Sequence, residues 1–154
     1  MNYMIYDTKI GKLIIKENNG FITEIGFSRY GADNENKETE TIKKAYIELT
    51  EYLEGKRTHF TVKLNPKGTE FQKKVWNELI KIPYGQTRSY KEIAESVGSP
   101  KGYRAVGMAN HNNPIMIIIP CHRVINANGA LGGYGGGIDK KIKLLEIEGY
   151  KHVF

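Results

Sequence analysis

The segment Asn65-Pro66-Lys67-Gly68 constrains the fold most, because a pair of chain breakers there coincides with the onset of a charge imbalance. Before it lie strand-like runs and one helical pattern; after it, helical patterns behind helix-start signals dominate. Two domains are therefore expected, residues 1–65 and 66–154. The first carries 10 Lys/Arg and 10 Asp/Glu, the second 13 and 7, so the whole net charge of +6 lies in the second. An anionic partner for that part, nucleic acid above all, is one reading, and a merely basic surface is the other.

The chain is long enough, at 154 residues with 40% hydrophobic content, to bury a core without covalent staples. Its single cysteine cannot form an internal disulfide. No secretory leader is recognisable, and no apolar run approaches the roughly 20 residues that span a bilayer, so a soluble cytoplasmic protein without membrane contact is expected.

In the first part, Asn2–Asp7, Lys12–Glu17 and Phe21–Phe27 read as strands, and Asn19-Gly20 as a hairpin turn whose two positions tolerate positive φ. Residues 30–37 read as a polar loop. Between Glu38 and Leu53, Ile42, Ala45, Tyr46, Leu49, Tyr52 and Leu53 recur at helical spacing before Gly55. His59–Leu64 is expected to return as a further strand. No chemistry is visible here.

In the second part, Thr69 with Gln72 and Ser89 with Glu92 form two capping boxes. The first opens a helix with Phe71, Val75, Trp76 and Leu79 on one face, ended by Pro83-Tyr84-Gly85; the second opens a short helix stopped by Gly98. Ser99 is then expected to cap a further helix, with Pro100 in its first turn, running to about Asn110. Two helices joined by a glycine-containing turn match a helix-turn-helix, whose second helix docks on DNA. Gly102, Ala105, Gly107 and Ala109 make that helix lean, which suits either a narrow DNA groove or tight packing. A loop crowded with glycines surrounds Tyr134 and lacks any phosphate-binding spacing; it would approach a planar ligand closely or serve as a connector. Asp139 is expected to cap a last helix with Ile142, Leu144 and Leu145 apolar, ending at Glu148-Gly149. The fold class is α+β: a small antiparallel sheet with a helix, then a mostly helical, winged-helix-like domain.

The lone thiol, Cys121, follows the apolar run Ile115–Ile119 and precedes His122 and Arg123. Such neighbours lower a thiol pKa and favour a nucleophilic thiolate, whereas a small inert core residue is the plainer alternative.

Together these elements resemble the O6-alkylguanine-DNA alkyltransferases, also called methylated-DNA–protein-cysteine methyltransferases. The resemblance runs from Gly68-Thr69 through Phe71-Gln72, Val75-Trp76, Ile82-Pro83-Tyr84-Gly85, Arg104-Ala105-Val106-Gly107 and Asn113-Pro114 to Pro120-Cys121-His122-Arg123-Val124 and Glu148-Gly149. It implies binding to duplex DNA from the minor groove and extrusion of the damaged guanine, since an O6-alkyl group lies within the base stack. It further implies that Cys121 takes the alkyl group irreversibly, once per molecule. His122 would receive the thiol proton through a water, Glu148 would orient that imidazole, and Asn113 would organise the turn. Tyr90 would help rotate the nucleotide, bond the base and donate toward the leaving guanine.

Arg104 would fill the vacated stack, with Gly102 and Ala105 on the DNA-facing helix; Arg123 would brace the site or approach phosphates. Tyr134 and the backbone of Gly135 and Gly136 would flank the base, Gly135 standing where some members carry serine. A monomer without cofactor or metal is expected, acting on O6-alkylguanine and, as a second candidate, O4-alkylthymine. The main rival is a non-catalytic relative that flags alkylated DNA, and Cys121 argues against it. A thiol hydrolase and a plain DNA-binding regulator are the others; the first leaves the helix-turn-helix unexplained and the second does not need the thiol.

Overall fold

A computed structural model describes residues 2–28 and 37–150. It divides into two compact units, residues 1–67 with Pro114–Met116, and residues 68–113 with 117–154. The loop expected at residues 30–37 lies outside the described residues except for Lys37.

The first unit holds three antiparallel strands in sequence order, β1 (Asn2–Thr8), β2 (Gly11–Asn18) and β3 (Phe21–Phe27). Asn19 and Gly20 join the last two with φ of 53° and 84°, so the turn residues do what their spacing predicts. Met4, Ile15 and Ile25 are cross-strand partners, as are Tyr6, Leu13 and Phe27. Helix α1 (Glu40–Leu53) packs on the sheet; Thr39 caps it by accepting from the Ile42 amide, and Tyr46 stacks on Tyr6 with ring centroids 3.9 Å apart. The alternation of apolar residues in β2 and their 3.6-residue recurrence in α1 meet in one core containing Leu13, Ile15, Ile42, Ala45 and Leu49.

His59–Leu64 is not a strand. Only Leu64 forms an isolated bridge, with Ile22, because the Thr61 amide and hydroxyl are taken by the buried Glu48 carboxylate at 2.8 and 2.5 Å instead of by a neighbouring strand. The unit also takes in Ile115, which bridges to Ile25.

In the second unit, α2 (Glu70–Ile80) starts at the Thr69/Gln72 box, β4 is the pair Arg88–Ser89, and α3 (Tyr90–Ser96) starts at the Ser89/Glu92 box. Helix α4 (Tyr103–His111) packs on both α2 and α3, and the buried Trp76 donates to the Ala109 carbonyl at 2.8 Å. Ser99 does not cap α4: its carbonyl accepts from the Gly102 amide at 2.7 Å, forming a turn with Pro100 as the second residue. A proline's fixed φ suits that place as well as a first helical turn, so the sequence did not separate the two.

A one-turn 3-10 helix (Cys121–Arg123) leads into β5 (Val124–Ile125), which pairs in parallel with β4. Helix α5 (Ile138–Ile147) begins after Gly137, with Asp139 inside its first turn rather than capping it. Its charge still favours the helix N-terminus. The buried face of α5 comprises Lys141, Leu144 and Leu145, and not Ile142. Among the described residues no helix is long and apolar enough to cross a membrane.

Candidate active site

Ile115–Ile119 is not an extended run delivering Cys121. Ile117 adopts φ 72°, a left-handed conformation that costs a β-branched residue about 1–3 kcal/mol. The chain turns there, and the Asn113 amide nitrogen closes the turn on the Ile119 carbonyl at 2.8 Å. Asn113 therefore organises the approach to the cysteine and also hydrogen-bonds the thiol.

Cys121 is buried and reduced. Burial pushes its thiol up to about 11, against the opposing pull of the Asn113 hydrogen bond and the Lys141 charge. The sequence leaves the thiol pKa open, burial raising it and His122 and Arg123 lowering it; in the fold burial wins, because both side chains bond Glu148.

Both are aimed instead at Glu148, at the C-terminus of α5. His122 Nε2 lies 2.7 Å from one carboxylate oxygen, and Arg123 donates to both oxygens at 2.8 and 3.0 Å. The Gly85 amide adds a fourth bond at 3.0 Å. Arg123 also donates to the Ile82 carbonyl at 2.7 Å, and the Tyr84 hydroxyl reaches the Ile147 carbonyl at 3.1 Å. The Ile82–Gly85 turn is thus a collar around the end of α5. Burial raises the Glu148 carboxyl, but His122 and Arg123 more than offset it and hold it near about 2. Burial depresses the His122 pKa despite its carboxylate partner, so the imidazole is neutral. With the carboxylate as acceptor, Nε2 carries the hydrogen and Nδ1 keeps a lone pair, which is the tautomer a general base needs.

Arg123 was expected to brace the site or approach phosphates. Its guanidinium is buried against Glu148 and Ile82, which leaves only the bracing role.

Tyr90, the first residue of α3, is half-buried, and burial followed by the proximity of Cys121 raises its phenol pKa. It lines a cavity of about 630 Å³ with Lys91, Pro100, Lys101, Tyr103, Asn126, Ala127 and Asn128. The glycine loop approaches the same ring. Gly132, at φ 72°, sits so close that a Cβ there would fall 3.1 Å from the phenol oxygen.

The three residues expected to flank the base, Tyr134, Gly135 and Gly136, do not line that cavity. The Tyr134 phenol is turned inward, where burial and then Cys121 raise its pKa well above the ordinary value, while Gly135 is exposed and Gly136 half-buried. On α4, Arg104 and Ala105 are exposed and Gly102 half-buried; Tyr103 and Met108 add exposed apolar surface on either side of Arg104.

Two buried polar residues near the thiol were missed from the sequence. Asn110 donates to the Cys121 carbonyl at 3.3 Å, and Lys141 is wholly buried with its ammonium on three backbone carbonyls. A basic residue on the apolar face of α5 was the available signal. Among the described residues no His, Cys, Asp and Glu side chains gather to hold a metal ion.

With this geometry in place, comparison with known proteins gives a consistent result. Residues 1–66 match the ribonuclease-like domain of 6-O-methylguanine DNA methyltransferase, and residues 70–150 match its DNA binding domain. The chain belongs to the 6-O-methylguanine DNA methyltransferase family. A methylated-DNA–protein-cysteine methyltransferase of Methanosarcina acetivorans is 46% identical over 154 residues, covering 97% of this chain and 99% of that protein. Its counterpart from Mycobacterium leprae is 48% identical, covering 92% and 88%. Among solved structures, the Mycobacterium tuberculosis OGT in complex with DNA superposes with a TM-score of 0.89 at 44% identity, covering 96% of this chain and 92% of that one. In this methyltransferase family member, then, the only thiol of the chain directly precedes, in one buried 3-10 turn, the imidazole that Glu148 orients.

Proposed function

We propose that this chain repairs DNA by transferring the alkyl group of O6-alkylguanine to Cys121, stoichiometrically and irreversibly. The observation that carries the reading is the buried Cys121 thiol in one 3-10 turn with His122, whose Nε2 lies 2.7 Å from the Glu148 carboxylate. The two domains divide the work, residues 1–65 as scaffold and residues 66–154 for DNA binding and chemistry.

The duplex docks on α4 from the minor groove. Arg104 enters the space of the extruded nucleotide, and the small residues Gly102 and Ala105 let the helix backbone approach. The cavity beside Tyr90 receives the base. Lys91 and Lys101 at its rim suit the adjoining phosphates, and the Tyr90 phenol is placed to donate to the ring. Tyr134 and the glycine loop close over the base when it arrives.

Burial keeps the resting thiol protonated, so the thiolate forms in the course of the reaction. The proton passes through a water to His122 Nδ1, and Glu148 stabilises the resulting imidazolium. The sulfur attacks the alkyl carbon in line, an S–C bond forms as the C–O6 bond breaks, and the electron pair left on guanine is met by a hydrogen bond or proton from Tyr90. A thioether has no base able to return it, hence one turnover per molecule.

The test is to incubate the protein with duplex DNA containing O6-methylguanine and weigh the intact chain and its Cys121 peptide. A single methyl on Cys121 is expected, absent in Cys121→Ala, which still binds the duplex. Unmodified protein bound tightly to the lesion would instead establish the damage-flagging alternative.

A further inference from the structure

The parallel pairing of β4 with β5 sets Ser89 opposite Ile125, so the residues that follow, Tyr90 and Asn126, leave the two strands side by side. Tyr90 opens α3, whereas Asn126 opens a tight hairpin. The Asn126 backbone amide donates to the Ala130 carbonyl at 2.8 Å, its carbonyl accepts from the Gly129 amide at 2.9 Å, and the Asn128 side chain accepts from the Ala130 amide at 3.0 Å. Backbone bonds therefore fix where Asn126 stands. Among the described residues its own side chain takes no hydrogen bond.

Asn126 and Tyr90 both line the cavity of about 630 Å³. Gly132 marks where their polar ends converge: the point at which its Cβ would stand is 3.1 Å from the Tyr90 phenol oxygen and 3.6 Å from Asn126 Oδ1. The other polar side chains of the lining offer a base edge less. Lys91 and Lys101 can only donate, and Asn128 Oδ1 is engaged in the hairpin. Asn126 is thus the lining amide whose oxygen is uncommitted.

O6-alkylguanine and O4-alkylthymine show such an oxygen different edges. Alkylation at O6 removes the N1 proton, so the 2-amino group carries the only N–H donors left on the guanine. Alkylation at O4 removes the N3 proton of thymine and leaves that base no N–H donor. An acceptor in the cavity is satisfied by the first base and meets only lone pairs on the second.

We propose that Asn126 is a specificity-determining residue: its Oδ1 accepts a hydrogen bond from the 2-amino group of the extruded base and so sets O6-alkylguanine ahead of bases without that amine. The inference rests on the proposed function, which seats the base in this cavity, and adds which group of the base is read there.

The test compares two duplexes alike except at the lesion, one bearing O6-methylguanine and the other O6-methylhypoxanthine, which lacks the 2-amino group. Each lesion is placed opposite an abasic site, so neither gives up base pairing on extrusion. Methylation of Cys121 is timed by mass in wild type and in Asn126→Ala, after both are shown to unfold at the same midpoint. Wild type is expected to react about tenfold more slowly with the hypoxanthine lesion, and in Asn126→Ala the two rates should become equal. Wild type that does not separate the lesions, or an Asn126→Ala that slows both by the same factor, would overturn the proposal.

A Cys121→Ala background reads the same contact without chemistry. Its affinity for the O6-methylguanine duplex should exceed that for the hypoxanthine duplex, and adding Asn126→Ala should abolish the difference; a difference that survives would refute the assignment. Wild type that takes no methyl from either duplex would sink the proposed function, and a binding preference lost with Asn126 would still leave the role of Asn126 standing.

Discussion

Helix α5 presents two buried charges seven residues apart on one face, and the fold satisfies them in opposite ways. Glu148 is closed: an imidazole, a guanidinium and a backbone amide occupy its two oxygens. Lys141 is open: only carbonyl dipoles touch its ammonium. A carboxylate saturated by partners fixes geometry, here the imidazole tautomer and the collar at Ile82–Gly85. A cation held by dipoles alone joins the backbone segments that supply them, here β5 and the glycine loop. The difference teaches that one helix face can bury opposite charges by unlike means, a carboxylate through charged donors and an ammonium through peptide dipoles.

The strongest way to break this comparison is Glu148→Gln. It removes the anion from a buried guanidinium, so unfolding by urea should show a loss of about 3 kcal/mol, with methyl transfer at least about 100-fold slower. The wild type supplies an internal check. The Glu148 pKa is lowered from 4.5 to about 2, so its stabilisation is complete above 4.5 and drains away as pH falls toward 2. The stability gap between variant and wild type should therefore narrow in acid; a gap that widened would contradict the closed cluster.

Arg123→Lys sharpens the same contrast at smaller cost. An ammonium cannot reproduce three donors to Glu148 and Ile82 in one plane, and about 1–2 kcal/mol of stability should be lost. Since Arg123 is buried, the salt dependence of DNA binding should not change, and a shallower slope would return Arg123 to the phosphate surface.

Arg104→Ala gives the smallest structural effect. The exposed side chain leaves the unfolding midpoint unchanged, whereas transfer from duplex DNA should fall roughly tenfold while labelling by iodoacetamide stays at the wild-type rate. Loss of both reactions would mean that Arg104 supports the thiol rather than the DNA.

Much of the framework was legible because it depends on near neighbours. Asn19-Gly20 set its hairpin, and both capping boxes opened helices where their three-residue spacing placed them. Cys121, His122 and Glu148 were legible through the resemblance of their motifs, which left Arg123 between bracing the site and approaching phosphates. Ser99-Pro100 was read as a helix start and forms a turn, since the same φ serves both. Thr61 was read as strand, yet a carboxylate thirteen residues away takes its amide. Lys141 is not singled out in the sequence although it falls on the apolar face of α5, since its three carbonyl partners belong to β5 and the glycine loop.

By itself the sequence determined the element order, the partition of charge and the presence of one thiol beside an imidazole, because turns, caps and composition act over a few residues. Only the tertiary structure decided that the thiol is held protonated by burial, that Arg123 faces inward and that Lys141 is buried on three backbone carbonyls. Desolvation and the pairing of distant charges depend on what closes over a group, and chain neighbours do not specify that.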